Sequence, residues 1–316
     1  MIKQMHTNPE NNAPVFTVIL PTRDRAAMLR KAVASVRTQS FRDFELIVID
    51  DGSATNYLAD LPADPRIQVI RNPVSLGVSH ARNIGIARAA GTYVSFLDDD
   101  DEYLSSFLSS TYACLKATPE EIGISWCGAK FIRESSEPGG APVVRVREIP
   151  EHKNRQELLE DFVKVGTGHG VTIKATCLNK VGPFNETLKV AGDTDMFFRI
   201  LAQGFTPLRV PGVHIVRHYH RGERLTGAAW FPERVRVWEW LLDEHSKFLD
   251  EHPGIKSGLQ AGVDSLKQNV RNGSGNALIP LSATRDTREL WRLPKVRDWL
   301  TRVALPRKIR KQLQID

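Results

Sequence analysis

The sequence predicts an α/β fold: a mostly parallel sheet flanked by helices, with a helical C-terminal appendage. Three observations carry that expectation. Apolar, β-branched runs alternate with segments of helical periodicity about every 20–25 residues through the first hundred positions, as in right-handed βαβ units. Two of those runs end in clustered aspartates, Asp50-Asp51 and Asp98 to Asp101. From about residue 230 only helical patterns remain.

Taken in order, VFTVILPT (15–22) reads as a buried strand, and DRAAMLRKAVASVRTQ as a helix with Asp24 placed to cap it. FELIVID (44–50) is a second strand, closed by the turn residues DGS, and IQVIRN (67–72) is a third. SLGVSHARNIGIARAAG makes a helix stopped by Gly91, and TYVSFL is the fourth strand. A helix is expected over 103–118. GISWCGAKFIR then reads as a strand, ESSEPGGAP (134–142) as a flexible connection and VVRVREI as an antiparallel strand. A helix near 154–164 leads to the glycine-rich VGTGHGVTI, where His169 lies between two glycines. DTDMFFRILAQG (193–204) has acidic residues in its first turn and glycine at its end, as a helix should. One or two short strands follow in TPLRVPGVHIVRHYH, then the helical RVRVWEWLLDEHSKFL and a basic tail. The boundaries expected are a disordered segment over 1–13, the sheet domain over 14–228 and a helical basic region over 229–316.

Composition narrows the class. At 41% hydrophobic and 25% charged residues the chain is that of an ordinary folded protein. Three cysteines, Cys114, Cys127 and Cys177, form no CxxC pair and fit neither a disulfide framework nor a zinc cage, which suits a reducing cytoplasm. The N-terminal stretch has no apolar signal region, and no run approaches the length of a membrane span. The formal charge of +6 is concentrated in the tail, where Trp291, Trp299 and Leu300 alternate with arginines and lysines. That pattern suits a helix lying at the inner face of the cell membrane. No nucleic-acid recognition motif accompanies the charge, so nucleic acid is not an expected partner.

The carboxylates point to a site. In a parallel sheet all carboxyl ends lie on one edge, and ligands bind in the crevice there. Asp50-Asp51 and Asp98 to Asp101 should therefore converge on one cleft. Four adjacent like charges are tolerable when a cation neutralises them, and a hard ion such as Mg²⁺ or Mn²⁺ takes one or two protein carboxylates and leaves positions for phosphate oxygens. GxxxxGK[ST] is absent and no GxGxxG follows the first strand, which disfavours P-loop and dinucleotide-binding enzymes.

Read together, VILPTRDRAAMLRKAVASVRTQSFRDFELIVIDDGS, RNPVSLGVSHARNIGIARAAGTYVSFLDDDDEY and IKATCLNKVGPFNETLKVAGDTDMFFRIL resemble the family 2 glycosyltransferases, which have a GT-A fold built on a nucleotide-binding sheet. The resemblance covers about residues 14–226. It implies that Pro21, Thr22 and Arg23, with Asp50 and Asp51, form the pocket for base and ribose. It implies that Asp98 and Asp100 are the outer residues of a metal-binding Asp-x-Asp around Asp99, with Asp101 a substitute ligand. Arg82 and Asn83 match a segment that closes over the donor, and Asp193 matches the catalytic base. Family members commonly carry Glu-Asp where this chain has Gly192-Asp193. His218 and His220 fall in a basic segment near the diphosphate, with Arg217, Arg221 and Arg224; of these His220 is the expected metal ligand or phosphate contact. The implied reaction moves a sugar from a nucleotide-diphosphate sugar, by family habit UDP-linked, to a hydroxyl of a glycan or lipid-linked acceptor in cell-surface polysaccharide synthesis. Mn²⁺ or Mg²⁺ would stabilise the leaving diphosphate, and a base on the opposite face would invert the anomeric centre. Two other readings share the sheet: a non-catalytic sugar-nucleotide binder, which needs no base at Asp193, and a sugar nucleotidyltransferase, which would show a glycine-rich loop after the first strand.

Overall fold

A computed structural model describes residues 13–58, 61–135, 140–219 and 227–271. The first half runs β1 (Phe16–Thr22), α1 (Ala26–Arg37), β2 (Phe44–Asp50), β3 (Ile67–Arg71), α2 (Val78–Arg88), β4 (Tyr93–Phe96), β5 (Asp101–Tyr103) and α3 (Phe107–Leu115). It continues with β6 (Ile122–Arg133), β7 (Val143–Arg147), α4 (Arg155–Phe162), β8 (Thr172–Lys174), α5 (Ala175–Val181), α6 (Gly192–Ala202) and β9 (Thr206–Tyr219). Helices α7 (Phe231–Glu244), α8 (Ser246–Glu251) and α9 (Pro253–Arg271) close the described chain.

The strands form one sheet in the order β3-β2-β1-β4-β8-β6-β9-β5, with β7 added to β6. Its β3-β2-β1-β4 half is wholly parallel, as the alternation of strand and helix predicts. Strands β1, β2 and β4 are almost wholly buried because both faces are covered, whereas the edge strand β3 is half-exposed. Phe16, Val18 and Leu20 of β1 pack with Leu29, Val33 and Val36 of α1, while Ile19 joins Ala81 and Ile86 of α2 in a second core. Strands β8, β5 and β7 each pair antiparallel with their neighbours, whereas β6 and β9 run parallel.

Three local expectations change. Asp24 does not cap α1; it takes a positive φ of 53°, and its Oδ1 accepts from Ala54 N–H at 2.7 Å, tying the turn after β2 to the end of β1. The helix expected from Tyr103 starts at Phe107, because Asp101 and Tyr103 first pair with Arg217 and Ile215 of β9. The strand after Gly204 is a single one of 14 residues paired along β6, its register shifting beside Gly212, which has φ 90°.

Helices α7 to α9 share the second core. Val237, Leu241, Phe248, Leu249, Ile255 and Leu259 are buried with Trp126, Phe162, Phe197 and Phe198 of the sheet domain. Asp195 seals this contact: buried on α6, it pairs with Arg199 at 3.0 Å and with His245 at 3.0 Å. Among the described residues no helix is long and apolar enough to cross a membrane. The expectations for residues 1–12 and for the basic tail beyond 271 lie outside the described residues.

Candidate active site

The carboxyl ends of β1, β2 and β4 meet, as parallel pairing requires: Thr22 is in register with Asp50, and Leu97 N–H donates to Ile19 O at 3.1 Å, so the chain turns into Asp98 beside the end of β1. Thr22 Oγ1 donates to Asp99 Oδ2 at 2.8 Å, and Arg25 Nη1 reaches Asp99 Oδ1 at 3.0 Å. Ser53 binds Asp50 through both its N–H and its hydroxyl, and its hydroxyl is 2.7 Å from Tyr57 Oη. Tyr57 in turn lies 3.4 Å from Thr22 Oγ1, so one buried polar network joins Asp50 to Asp99. Arg71 stands 3.3 Å from the other Asp50 oxygen. Pro21 is buried on β1 beside Ile49.

Asp51 anchors the loop before α2. It accepts from Asn72, from the Ser75 hydroxyl and from the N–H groups of Leu76 and Gly77, at 2.7 to 3.0 Å. Burial alone would raise this carboxyl, but those four donors outweigh it and hold it below its ordinary value. Arg23 is exposed and donates to Ser75 at 2.9 Å, which extends the same loop anchor.

Asp99 turns towards Thr22 and Arg25, whereas its neighbours form a separate group. Asp98, Asp100 and Asp101 each present an oxygen within 4.8 Å of the others. Asp101 is almost wholly buried, and burial pushes its carboxyl up to about 7 despite Arg217 Nε at 3.2 Å, with Asp98 and Asp100 adding to the rise. Burial likewise raises Asp99 to about 6, against the pull of Arg25 and Thr22. Three clustered oxygen donors carrying excess negative charge are a donor set suited to a hard divalent cation. His220 lies outside the described residues, as do Arg221 and Arg224. Arg217 is paired with Asp101, and His218 Nε2 lies 2.7 Å from Glu102.

Asp193 is linked to this cluster by a chain of contacts. Its Oδ2 accepts from Thr167 N–H at 3.3 Å; Thr167 Oγ1 accepts from Arg82 at 2.9 Å; the same Arg82 nitrogen donates to Asp98 at 2.8 Å. Two backbone features aim it. Ala191, before α6, is left-handed at φ 55°, and Gly166 lies so close that a Cβ there would stand 2.6 Å from Asp193 Oδ2. At Gly192, just before Asp193, a Cβ would stand 2.9 Å from Ser79 Oγ, so a larger residue there would make that hydroxyl shift. Asn83 is placed differently. Its amide binds Phe184 O, Phe184 N–H and Glu186, at 2.7 to 2.9 Å, so it clamps the loop ahead of α6.

His169 is buried in a short turn at 167–169, 3.4 Å from Arg217, with its Nε2 unsatisfied among the described residues. Burial, with Arg217 and Arg147 nearby, lowers its pKa well below the ordinary value, so the ring is neutral. Thr167, Arg25 and Tyr57 escape sequence reasoning, since each acts through a partner 35 to 85 positions away. Arg25 alone had a signal, its place in TRDRAAM.

Residues 17–181 match the family model described as glycosyl transferase family 2. The chain belongs to glycosyl transferase family 2. Among its relatives in that family is the GalNAc(5)-diNAcBac-PP-undecaprenol beta-1,3-glucosyltransferase of Campylobacter jejuni, 39% identical over 102 residues, 31% of this chain and 33% of that one. The chain spans 65% of a second relative, from Haemophilus influenzae. Two solved structures share the GT-A fold. S. aureus TarS 1-349 in complex with UDP-GlcNAc has a TM-score of 0.57 at 16% identity, covering 90% of this chain and 83% of that one. The mannosyltransferase PcManGT of Pyrobaculum calidifontis, in complex with GDP-Man and Mn2+, has a TM-score of 0.55 at 18% identity, covering 92% and 84%.

Proposed function

We propose that this family 2 chain is a metal-dependent, inverting glycosyltransferase that moves a sugar from a nucleotide-diphosphate sugar, UDP-linked in our reading, to a hydroxyl acceptor. The observation that carries the reading is the chain of contacts from Asp193 through Thr167 and Arg82 to Asp98. It ties a carboxylate suited to take a proton to a carboxylate suited to hold a cation. A non-catalytic binder has no use for the first of these. The UDP-GlcNAc and Mn2+ complexes of proteins with this fold lend support on donor and metal.

Asp98, Asp100 and Asp101 would hold Mn²⁺ or Mg²⁺, and the bound cation would offset the charge of the departing diphosphate. The residues Pro21, Thr22, Arg23, Asp50 and Asp51 would line the base and ribose pocket, with Asp99 locking Thr22 and Arg25 in place. Arg82 holds Asp98 and Thr167 at once, so it fixes the metal edge against the base edge. Asp193 takes the proton of the attacking hydroxyl as the new bond forms at the anomeric carbon and the diphosphate leaves from the opposite face. His220 would add a ligand from the segment after β9. The acceptor would be a glycan or a lipid-linked sugar in cell-surface polysaccharide synthesis, and the enzyme would work at the cytoplasmic face of the membrane.

The test is nucleotide-diphosphate release from a panel of sugar nucleotides, with Mn²⁺, Mg²⁺ or chelator. Release is expected from one donor, only with metal, and should fall at least a hundredfold in Asp193→Asn, the lower range for a general base, while donor binding persists. Product that keeps the donor's anomeric configuration would refute inversion. Donor binding without turnover, even with acceptor extracts added, would refute catalysis.

A further inference from the structure

Arg217 of β9 lies in a cradle beside the acidic cluster. Its Nε donates to Asp101 Oδ2 at 3.2 Å, and the backbone N–H of His218 donates to Asp101 Oδ1 at 3.1 Å. The ring centre of Phe131 on β6 is 6.0 Å from the guanidinium carbon. The turn at 167–169 supplies the rest of the cradle. A Cβ at Gly168 would stand 2.7 Å from Arg217 Cζ and 2.8 Å from its Nε and Nη2, so the guanidinium packs on bare backbone there. His169, only 6% exposed, brings its Nδ1 to 3.4 Å from Arg217 Nη1.

The direction of that last contact follows from chemistry. A guanidinium has N–H donors and no acceptor, so Arg217 donates and Nδ1 accepts. The ring is neutral, which puts its single proton on Nε2. The other tautomer would set an Nδ1–H against an arginine N–H. Nε2 is buried and meets no acceptor among the described residues. A ring kept only to fill space would carry that unmet donor at a cost that leucine or phenylalanine avoids. What histidine adds at this position is the acceptor at Nδ1. Its backbone is anchored independently of Arg217: Thr167 N–H donates to Asp193 at 3.3 Å, and Cys127 Sγ lies 3.7 Å from His169 O.

We infer that His169 is a positioning residue: through Nδ1 it turns the Arg217 guanidinium onto Asp101 and so holds that carboxylate in the cluster with Asp98 and Asp100. The inference rests on the cation-binding role proposed for Asp101 and adds a residue that acts on the cluster through Arg217. Outer partners of this kind orient the ligands of a metal and tune its affinity. The turn at 167–169 then serves both edges of the site, Thr167 through Asp193 and Arg82, and His169 through Arg217. A competing account is that His169 only fills the space beside Phe131, whose ring centre is 5.8 Å from its own.

Two measurements on the full chain test this. Imidazole nitrogen NMR spectra in chelator, assigned by the signal lost in His169→Leu, should show the His169 proton on Nε2. A proton on Nδ1 would overturn the inference, because that nitrogen could not accept from Arg217. Mn²⁺ affinity is then titrated in the presence of UDP. His169→Leu and His169→Gln should weaken Mn²⁺ about tenfold or more, the lower range for losing an outer partner of a metal ligand. His169→Asn, whose Oδ1 stands near the place of Nδ1, should recover most of that loss. Gly168→Ala keeps the ring but sets a methyl against the guanidinium, and should weaken Mn²⁺ as His169→Leu does. Parent-like affinity in His169→Leu or Gly168→Ala would overturn the inference. Equal losses in the Asn, Gln and Leu variants would mean that the ring only fills space, and would overturn it too. If the parent binds no Mn²⁺, the metal reading fails, and the ring spectrum alone decides whether His169 holds Arg217.

Discussion

Thr167 joins Asp193 to Asp98 by way of Arg82, and a single hydroxyl makes the link to Arg82. Thr167→Val keeps shape and backbone N–H but strands a buried Arg82 donor, worth about 1.5–3 kcal/mol for a hydrogen bond to a charged group. Turnover should fall about tenfold or more while donor affinity holds, and Thr167→Ser should restore it; an active valine variant would show that Arg82 is fixed without it. Asp101 makes a pH prediction. Its folded pKa of about 7 lies above the ordinary value, so its contribution to apo stability is fully present below about pH 4 and is lost as pH rises towards 7. A cation needs the ionised form, so the rise in Tm on adding Mn²⁺ should be small at pH 5.5 and large at pH 8. A shift independent of pH across that range would exclude Asp101 as a ligand. At this scale the gathering of Asp98 and Asp100 is legible in the sequence because they follow an apolar run, whereas Asp193 is singled out only by the family resemblance. Thr167 and the turn to Asp99 are not legible, since a hydroxyl or carboxylate carries no record of the partner that folding brings to it.

Elements aim these side chains through backbone constraints. Ala191 holds a left-handed conformation that costs a non-glycine residue roughly 1–2 kcal/mol, so α6 starts at an angle imposed by its surroundings. Ala191→Gly should raise stability by about 0.5–1 kcal/mol once the extra freedom of glycine is counted, read as a higher denaturant midpoint at constant m-value. A lower midpoint would mean that the angle is not strained. Gly91 has the opposite character: a Cβ there would stand 2.5 Å from Thr17 N and 2.7 Å from Phe16 C, both backbone. Gly91→Ala should therefore destabilise the β1–β4 pairing, by about 1–3 kcal/mol if overpacking is the cost. The expectation that this glycine stops the helix is not met, since α2 ends at Arg88 with Ala89 as its C-cap; what needs glycine here is the close approach to β1. Likewise Tyr103 reads as the start of a helix, and only pairing with β9 makes it the end of a strand.

Across the whole molecule, α7 to α9 are part of one hydrophobic core with the sheet, whereas the sequence suggests an appendage from residue 229. Leu241 is fully buried in that core, so Leu241→Ala should cost about 2–5 kcal/mol and lower the thermal stability of the donor site with it. Two separate unfolding transitions, with UDP protecting only the first 228 residues, would show that the helices form an independent unit. The sequence by itself determined the parallel half of the sheet and the edge on which its carboxylates gather, because strand periodicity and crossover handedness are local rules acting on contiguous residues. Only the tertiary structure decided which carboxylates cluster, which one locks Thr22 and Arg25, and how Asp193 is linked to Asp98 through Thr167 and Arg82. Those outcomes depend on which distant side chains share a buried space, where burial and neighbouring charge set both geometry and protonation.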